Sequence, residues 1–347
     1  MPKEINRFPK HFALRLIDWQ KKSGRHDLPW QKSTDPYRVW LSEIMLQQTQ
    51  VATVLERYPR FLERFPTLKS LALASQDEVL AEWSGMGYYS RARNLHRCAQ
   101  IVWHEWGGQF PEHVDDLITL PGIGRSTAAA IAVFSFGKKE AILDGNVKRV
   151  LSRLSGFEGD LSKSGDTQLL WDAAEQLLPE TAQQLRSYTQ GLMDFGATLC
   201  VPKAKCLSDS QQCPFALECK AKQEKRVLEL PRKMKMVKVQ DLTLEWYIPV
   251  LAQKVYLQKR DESGIWAGMW TFPEQLNKKS NSSLELEPLV HVLTHRRLQI
   301  LRTVVLGAKL KDDAVGRWFT YEEALEQAIP KPVKDTLKSL MKLAVTL

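Results

Sequence analysis

The sequence contains no long apolar run. No stretch of its 347 residues approaches the roughly 18 consecutive apolar residues that a membrane-spanning helix needs. The first residues, Met1–Arg7, do not lead into the apolar core of a secretory signal peptide either. We therefore expect a cytosolic protein without a membrane partner.

Cysteine is scarce, and most of it lies in one place. Four of the five cysteines, Cys200, Cys206, Cys213 and Cys219, fall within twenty residues, and Cys98 stands alone. In a reducing compartment such clustering indicates a metal ion or an iron–sulfur cluster rather than disulfides. Ligand type favours an iron–sulfur cluster, with zinc as the main alternative and a loop without a ligand as the third.

Strand-like alternation is almost absent from residues 8–236. Apolar residues there recur at spacings of three and four, which predicts about ten short helices. Asp35 followed by Pro36 is typical of a helix start. We therefore predict a helical N-terminal part.

The pattern changes near residue 242, where a separate small α/β domain is predicted to begin. Trp246–Leu251 and Gln299–Leu306 have the composition of strands, and Pro332–Lys334 opens a last helix. The polar segment Lys278–Ser283 is predicted to be an exposed loop within this domain.

Basic residues exceed acidic ones by 49 to 40, which gives a formal net charge of +9 and a pI of about 9.2. Such a charge favours a polyanionic partner. The length and an ordinary hydrophobic content of 44% allow two or three domains with their own cores. Lys220–Lys238 holds eight basic and two acidic residues. It is predicted to connect two domains, either as a solvated linker or as a basic strap that attracts phosphates.

The stretch Leu120–Ala128 has the composition of a phosphate-binding turn. Gly122 and Gly124 suit a tight turn with positive φ, and they have no side chains that keep backbone N–H groups away from a phosphate. Thr127–Ala132 predicts a helix whose N-terminus would face the same phosphate. The alternative is a helix-turn-helix corner that binds nothing.

Two acidic residues are candidates for catalysis. Glu43 lies in Trp40–Gln50, among apolar and amide side chains, where desolvation would raise its pKa into the range of a general acid. Asp144, in Leu143–Arg149, supplies a second carboxyl group; its alternative role is a helix N-cap. Two carboxyl groups in different environments can divide glycosidic cleavage between proton donation and stabilisation of an oxocarbenium ion. In so basic a chain, the natural target is the N-glycosidic bond of a nucleotide.

The segment Gly85–Asn94 interleaves glycines, aromatics and arginines. Such a loop can insert an apolar or aromatic side chain into a base stack while its arginines approach phosphates. Insertion would help to offset the cost of flipping a base out of the duplex. Packing of the aromatics in a core is the alternative, and Tyr88 and Tyr89 need not share one role.

Together these motifs resemble the helix-hairpin-helix DNA glycosylase superfamily, and the match to adenine DNA glycosylases of the MutY type is close. The resemblance covers about residues 8–220 and extends into the C-terminal domain. It rests on several strings in the right order: Leu28–Gln31, Trp40–Gln50, Gly85–Asn94, Leu120–Ala128, Leu143–Arg149 and Asp194–Ala197.

This resemblance implies a mainly α fold that ends in a small α/β domain. Residues 25–136 would form a six-helix barrel with the helix-hairpin-helix, and residues 1–24 with 137–222 a helical domain that holds a [4Fe–4S] cluster. Residues 223–241 would be a basic linker, and 242–347 a Nudix-like domain that recognises 8-oxoguanine. DNA would lie between the two helical domains. We expect a monomer that acts at the nucleoid.

The resemblance also implies removal of adenine mispaired with 8-oxoguanine or guanine in double-stranded DNA. Glu43 would protonate adenine at N7, and Asp144 would stabilise the oxocarbenium ion or briefly bond to the sugar. Asn146 would hold the polar geometry of the site, and Tyr88 would be inserted beside 8-oxoguanine. The residues expected to contact substrate or DNA are Trp30, Gln31, Gln48, Thr49, Met86, Tyr88, Gly122, Gly124, Ser126, Lys148, Gln190, Thr294 and His295.

Ser126 distinguishes two branches of this superfamily. The endonuclease III branch has a lysine at this place, whose amine attacks the sugar and drives strand cleavage through a Schiff base. Serine cannot form that imine, so we predict an enzyme that leaves an abasic site, although Lys148 could trap a little sugar. The alternatives are a bifunctional glycosylase with lyase activity and a non-enzymatic DNA-binding protein.

The cysteine spacing departs from the family pattern. It is C-x5-C-x6-C-x5-C, whereas the family usually has C-x6-C-x2-C-x5-C. Because all four thiols remain, we still expect a [4Fe–4S] cluster.

The C-terminal domain departs from its relatives as well. Gly264–Glu274 resembles the glycine–tryptophan and Phe-Pro pattern of Nudix-like modules, but Gln275–Pro288 lacks the carboxylate cluster that holds magnesium in Nudix hydrolases. This predicts binding rather than hydrolysis. Leu293–His295 stands in place of the family's Phe-Ser-His loop. This chain therefore lacks the aromatic contact of that loop but keeps a hydroxyl and an imidazole.

Overall fold

The structure is a computed structural model that describes residues 5, 8–209, 212–232, 239–276, 282–308, 310–313 and 315–346. It divides into two compact units, each discontinuous in sequence. The first unit comprises residues 1–59 and 98–236, and the second comprises residues 60–97 and 237–347. Among the described residues, no helix combines the length and apolar character of a membrane span.

The described part of residues 8–232 is helical, as predicted. Two short 3-10 helices, Pro29–Lys32 and Lys205–Leu207, accompany twelve α-helices in this part. The α-helices are α1 (Phe12–Ser23), α2 (Pro36–Leu46), α3 (Val51–Arg64), α4 (Leu68–Ala72), α5 (Gln76–Glu82), α6 (Ser90–Glu105), α7 (Val114–Leu117), α8 (Arg125–Phe136), α9 (Gly145–Ser155), α10 (Ser164–Gln176), α11 (Ala182–Thr198) and α12 (Lys220–Gln223).

Local sequence determines where these helices begin. The Asp35 carboxylate accepts a hydrogen bond from the Tyr37 backbone N–H at 3.0 Å, and Pro36 occupies the first helical position, so α2 starts where the sequence predicted. Thr67 and Ser75 form capping boxes at the starts of α4 and α5. The cap of α2 matters most here, because this helix carries Glu43.

The core of the first unit is aromatic. Phe195 contacts Trp19 edge to face, with ring centroids 5.1 Å apart, and Phe215 at 5.6 Å. All three are buried, together with Leu151 of α9. This packing joins helices α1, α9 and α11 to the segment that holds the clustered cysteines.

The second unit is built on a six-stranded sheet, which confirms the two predicted strands and the last helix. The strand order is β3-β2-β1-β5-β4, with β6 paired to β2; β1 and β5 are parallel and the other pairs antiparallel. The elements are β1 (Gln240–Leu251), β2 (Lys254–Lys259), β3 (Trp270–Thr271), β4 (Ser283–Val292), β5 (Arg296–Leu306), β6 (Gly316–Thr320), α13 (Tyr321–Glu326) and α14 (Lys331–Thr346).

Alternation along β1 places Leu244, Trp246 and Ile248 in the core of this unit. Residues 60–97 belong to the same unit through polar and apolar contacts. Lys259 pairs with Asp77 at 2.7 Å, Arg93 donates to the Ala267 carbonyl at 3.0 Å, and Tyr89 packs against the core. The segment that carries Tyr88 is therefore part of the unit that contains the sheet.

The predicted basic connector is partly neutralised within the chain. Arg226 and Arg232 both bind the carboxylate of Glu158, and Lys220 pairs with Glu224 at 3.2 Å. These contacts leave less free positive charge for a partner than the sequence alone indicates. The predicted domain boundaries stay predictions. Two parts of the sequence analysis lie outside the described residues: the basic residues Lys233, Lys235 and Lys238, and most of the predicted loop Lys278–Ser283.

Candidate active site

The first unit contains a cavity of about 1010 Å³. Cavities that enclose small organic ligands span roughly 300–1,000 Å³, so this one can accept a group the size of a nucleotide. The structure brings nine of the predicted site residues to its wall: Trp30, Gln31, Glu43, Gln48, Thr49, Ser126, Asp144, Asn146 and Gln190. It does not bring three others of the same unit to that wall: Gly122, Gly124 and Lys148.

Glu43 points its carboxyl group into this cavity from α2. Loss of solvent, together with the nearby charge of Asp144, raises the pKa of Glu43 to about 8. The sequence predicted such a rise from the apolar neighbours of Glu43. A carboxyl group with this pKa keeps most of its proton at neutral pH.

Asp144 combines two roles that the sequence left open. Its Oδ1 accepts a hydrogen bond from the Val147 backbone N–H at 2.8 Å, so it is the N-cap of α9. The same carboxyl group lines the cavity. Burial raises the pKa of Asp144, while hydrogen bonds from Val147 and Asn146 and the charge of Arg149 act in the opposite direction.

The predicted hairpin has an open glycine-rich turn. Gly122 has φ 80°, a left-handed conformation that favours glycine. A Cβ built at Gly124, the N-cap of α8, would meet no atom within 4 Å, so a ligand can approach the backbone there. Ser126 lies two residues further on, and its Oγ accepts a hydrogen bond from the Leu143 backbone N–H at 3.0 Å. The serine therefore ties α8 to the segment that leads into Asp144.

The remaining cavity wall is polar where a base could bind. Trp30 is buried and packs edge to face on Tyr58 at 5.6 Å. The side-chain amide of Gln31 is buried, and neither of its polar atoms has a hydrogen-bond partner among the described residues. A buried amide without a partner is costly unless a ligand or water completes its bonds. Gln31 is thus suited to read the polar edge of a bound group.

A buried carboxylate that the sequence analysis did not assign organises one side of the cavity. Asp194 accepts hydrogen bonds from Arg25 Nε at 2.8 Å and from Gln190 Nε2 at 3.0 Å. Asp194 is fully buried, whereas Arg25 and Gln190 both line the cavity. The motif Asp194–Ala197 was noticed in the sequence, but its partner Arg25 is 169 residues away.

Arg149 links the cavity to the first clustered cysteine. Its Nη2 donates to Asn146 Oδ1 at 2.8 Å and to the Gly196 carbonyl at 2.7 Å, and its Nε donates to the Cys200 carbonyl at 2.8 Å. A Cβ on Gly196 would lie 2.7 Å from the Asn146 Cβ, so this close approach requires glycine. Asn146 is therefore held by the same contacts that position the cysteine segment.

The four predicted cysteines line one small second cavity. Cys200, Cys206 and Cys219 are buried and Cys213 is half-buried. Burial, together with the neighbouring thiols, raises the pKa of the Cys213 thiol to about 12 and that of Cys219 to about 11. Within the described part of the chain, no three His, Cys, Asp or Glu side chains form a site for a single metal ion. Four sulfur donors around one cavity are a ligand set of the kind that holds a cluster through four thiolates.

Arg153 holds the segment that follows Cys200. This buried arginine donates to the carbonyls of Val201 at 2.7 Å, Pro202 at 2.8 Å and Leu230 at 2.9 Å. It also reaches the Cys200 carbonyl at 3.3 Å. One side chain thus orders two stretches of backbone that have no regular structure.

The glycine- and arginine-rich loop belongs to the second unit. Arg91 donates to the carbonyls of Met86 and Gly87, both at 3.2 Å, and stacks on the rings of Trp83 and Tyr88. Tyr88 has φ 47° and is 45% exposed, whereas Met86 is buried, so the structure presents only the tyrosine at the surface. Met86, predicted to contact DNA, is buried.

Tyr88 meets the predicted damage-sensing turn. Its hydroxyl lies 3.1 Å from Thr294 Oγ1, in the turn between β4 and β5. Thr294 and the neighbouring His295 are exposed. The structure thereby brings together two residues that the sequence analysis assigned to one task, although 206 positions separate them.

Comparison with known proteins identifies the families to which the chain is similar. The family model of the HhH-GPD superfamily base excision DNA repair proteins matches residues 41–176, and that of the NUDIX domain matches residues 246–339. The adenine DNA glycosylase of Buchnera aphidicola subsp. Acyrthosiphon pisum (strain APS) is 34% identical over 349 residues, covering 95% of this chain and 98% of the relative. The adenine DNA glycosylase of Homo sapiens is 30% identical over 409 residues, covering 94% and 73%.

Solved structures show the same helical fold. A thermostable thymine-DNA glycosylase superposes with a TM-score of 0.53 at 29% identity, covering 61% of this chain and 95% of its own. An endonuclease III in a non-covalent DNA complex gives 0.51 at 22% identity, with coverage of 62% and 96%. At this lower identity the likeness concerns the fold alone.

We expect Arg153→Met to destabilise the first unit by about 3 kcal/mol, because the backbone carbonyls that Arg153 now binds lose their donor. Urea unfolding followed by tryptophan fluorescence measures the effect. The control is Arg232→Met, which removes an exposed arginine with a single acidic partner and should leave the transition nearly unchanged. Equal unfolding midpoints for the two variants would show that Arg153 does not order the cysteine segment.

Proposed function

Since the chain belongs to the adenine DNA glycosylase family, we propose that it excises adenine mispaired with 8-oxoguanine or guanine and leaves an abasic site. Family membership makes it a base excision repair glycosylase that acts on adenine. The finer proposal depends above all on one observation. Glu43 and Asp144 line the same cavity, and burial raises the pKa of both, but only Asp144 receives hydrogen bonds and a nearby guanidinium charge that act in the opposite direction.

In this mechanism Glu43 is the general acid. Adenine flipped out of the duplex enters the cavity, and the Glu43 carboxyl group donates its proton to N7. The bond between sugar C1′ and N9 then breaks, and its electron pair leaves with the base. An ordinary glutamate would have lost its proton at pH 7, but a pKa of about 8 keeps it available.

Asp144 acts on the sugar. Bond cleavage leaves positive charge on C1′ and the ring oxygen, and an ionised Asp144 stabilises it or forms a brief bond to C1′. Water then adds to C1′, which breaks any bond formed to Asp144, and its proton passes to the Glu43 carboxylate. This gives the abasic sugar and free adenine. The hydrogen bond from Val147 orients the carboxylate, and Asn146, held by Arg149, keeps the polar wall in place.

Ser126 supports removal of the base without cleavage of the DNA strand. Its hydroxyl cannot form an imine with the sugar, and it already accepts a hydrogen bond from the Leu143 N–H. Lys148 lies one turn into α9 and does not line the cavity, so we assign it at most an adventitious reaction with the opened sugar.

The remaining predicted residues bind DNA. The backbone at Gly122 and Gly124, before α8, would accept a phosphate. Tyr88 would enter the stack beside 8-oxoguanine, and Thr294 with His295 would contact the damaged base. The hydrogen bond between Tyr88 and Thr294 supports this assignment, since it holds both at one place on the surface.

We further propose that Cys200, Cys206, Cys213 and Cys219 hold a [4Fe–4S] cluster, as is usual in this superfamily. Their arrangement around one cavity supports the assignment. When bound, such a cluster cross-links the segment through four iron–thiolate bonds. Arg149 and Arg153 hold the backbone of this segment, and Arg149 also donates a hydrogen bond to Asn146. An ordered cysteine segment therefore helps to position Asn146.

Glu43→Gln and Asp144→Asn should each lower the rate of adenine release by about 10²- to 10⁴-fold and retain affinity for DNA. The assay uses duplexes with adenine opposite 8-oxoguanine, guanine or thymine, with and without alkali. Glu56→Gln, an exposed position on α3, is the matched control and should keep full activity. Full activity in both test variants would refute the catalytic assignment, and nicking without alkali would favour a bifunctional enzyme.

Adenine release should have a bell-shaped pH dependence. Because Glu43 acts in its protonated form with a pKa of about 8, kcat/KM should fall tenfold per pH unit above about pH 8. Asp144 acts ionised with a raised pKa, so kcat/KM should also fall on the acid side, nearer to neutrality than for an ordinary aspartate. Binding to an undamaged duplex at each pH is the control. A rate that is flat from pH 7 to 10 contradicts the role of Glu43.

The purified protein should be brown and contain about four irons per chain. Cys206→Ser should lose iron and absorbance, because it removes one of the four thiols around the small cavity. Cys98→Ser, which changes the cysteine outside the cluster, should keep both. Stoichiometric zinc in place of iron would overturn the cofactor assignment.

A further inference from the structure

We propose that the turn between β4 and β5 binds the DNA backbone through Arg296, with Arg297 as a weaker second contact. The phosphates concerned flank the nucleotide that Tyr88 and Thr294 meet, in the strand opposite the excised adenine. The proposal rests on the function proposed above and adds a phosphate-binding site to the C-terminal part of the chain.

The turn is an exposed cationic surface. His295, Arg296 and Arg297 are consecutive and all exposed. Among the residues that the structure describes, neither guanidinium group forms a salt bridge or a side-chain hydrogen bond. Positive charge without a local counterion is what a backbone phosphate requires.

Several other arginines of the same unit are engaged. Arg60 pairs with Glu82 at 3.0 Å, Arg260 with Glu274, and Arg302 donates to the Glu287 carbonyl at 3.1 Å. Within the described residues, Arg97 and Arg317 are exposed and form no salt bridge or side-chain hydrogen bond, but neither is next to a second free arginine in the sequence. Within the described residues of this unit, two consecutive arginines without partners occur at one place, which is next to Thr294.

Backbone hydrogen bonds fix the turn before DNA arrives. Leu293 N–H donates to the Arg296 carbonyl at 2.7 Å, and Gln240 N–H donates to the His295 carbonyl at 3.1 Å. The hydroxyls of Tyr88 and Thr294 are 3.1 Å apart. The start of β5 thus keeps a constant position relative to Tyr88, which lowers the cost of binding.

The two arginines differ in their neighbours. In the ladder with β1, Arg296 lies opposite the neutral Gln240, whereas Arg297 lies opposite Asp241. Paired residues share a face of the sheet, and successive residues point to opposite faces. Asp241 therefore offsets part of the positive charge of Arg297. It lies on the opposite face from Arg296 and does not offset the charge of that residue. The two side chains cannot hold one phosphate together, so Arg296 makes the main contact.

The first test measures the salt dependence of binding. Each variant is made in the Glu43→Gln background, so that adenine stays in the duplex, and Kd for an adenine:8-oxoguanine duplex is measured over a range of KCl concentrations. Arg296→Gln should raise Kd several-fold and reduce the slope of log Kd against log salt by about one, and Arg297→Gln should have a smaller effect. Arg317→Gln, an exposed arginine on β6, should leave the slope unchanged. An unchanged slope for Arg296→Gln overturns the proposal.

The second test identifies the strand. Neutral methylphosphonate linkages replace the phosphates beside 8-oxoguanine or those beside adenine. Neutral linkages beside 8-oxoguanine should weaken DNA binding by the protein that retains Arg296. They should not weaken DNA binding by the Arg296→Gln variant any further. Equal losses for both proteins overturn the proposal. Failure of the proposed function would be seen separately, as the absence of adenine release by the unmodified protein. That result would leave the measured salt dependence of binding unchanged.

Discussion

Two carboxyl groups share one cavity wall in the first unit, and the charge of one makes ionisation of the other harder. Loss of solvent and the nearby Asp144 raise the pKa of Glu43 to about 8, whereas at Asp144 N–H donors act against the upward shift that burial causes. Neither environment is a property of a single helix. α2 carries Glu43, and the first turn of α9 supplies the donors to Asp144. The packing of these helices therefore gives two similar side chains different electrostatic surroundings.

Much of this arrangement could be predicted where the signal is local. Asp35 and Asp144 are N-caps because a carboxylate before a helix has N–H groups within reach, and the composition of Trp246–Leu251 identified the start of the sheet. Helices α4, α7 and α12 are too short for their spacing to be recognised. Strand β4 was not predicted, since both of its faces are largely exposed and its burial pattern hardly alternates.

What escaped prediction depends on pairing across long stretches of sequence. In the sequence, Asp194 looks like an ordinary residue of a helix. Only the structure shows that its carboxylate accepts hydrogen bonds from Arg25 and Gln190. Arg149 and Arg153 are typical surface residues by type, yet each crosses to backbone carbonyls about 50 positions away. These links matter because carbonyl groups outside regular structure need donors, and a guanidinium group can serve several at once. Nothing in the local sequence shows which carbonyls will lack a partner.

The discontinuous second unit sets an order in time. Residues 60–97 leave the ribosome long before the sheet to which they belong, and Tyr88 precedes its partner Thr294 by 206 residues. At translation rates of about 5–20 residues per second, that interval lasts on the order of tens of seconds. During synthesis the first unit can assemble the cavity with Glu43 and Asp144 while Tyr88 still lacks the hydroxyl that holds it. A nascent chain of this protein therefore completes the cavity of the first unit before it completes the exposed surface around Tyr88 and Thr294.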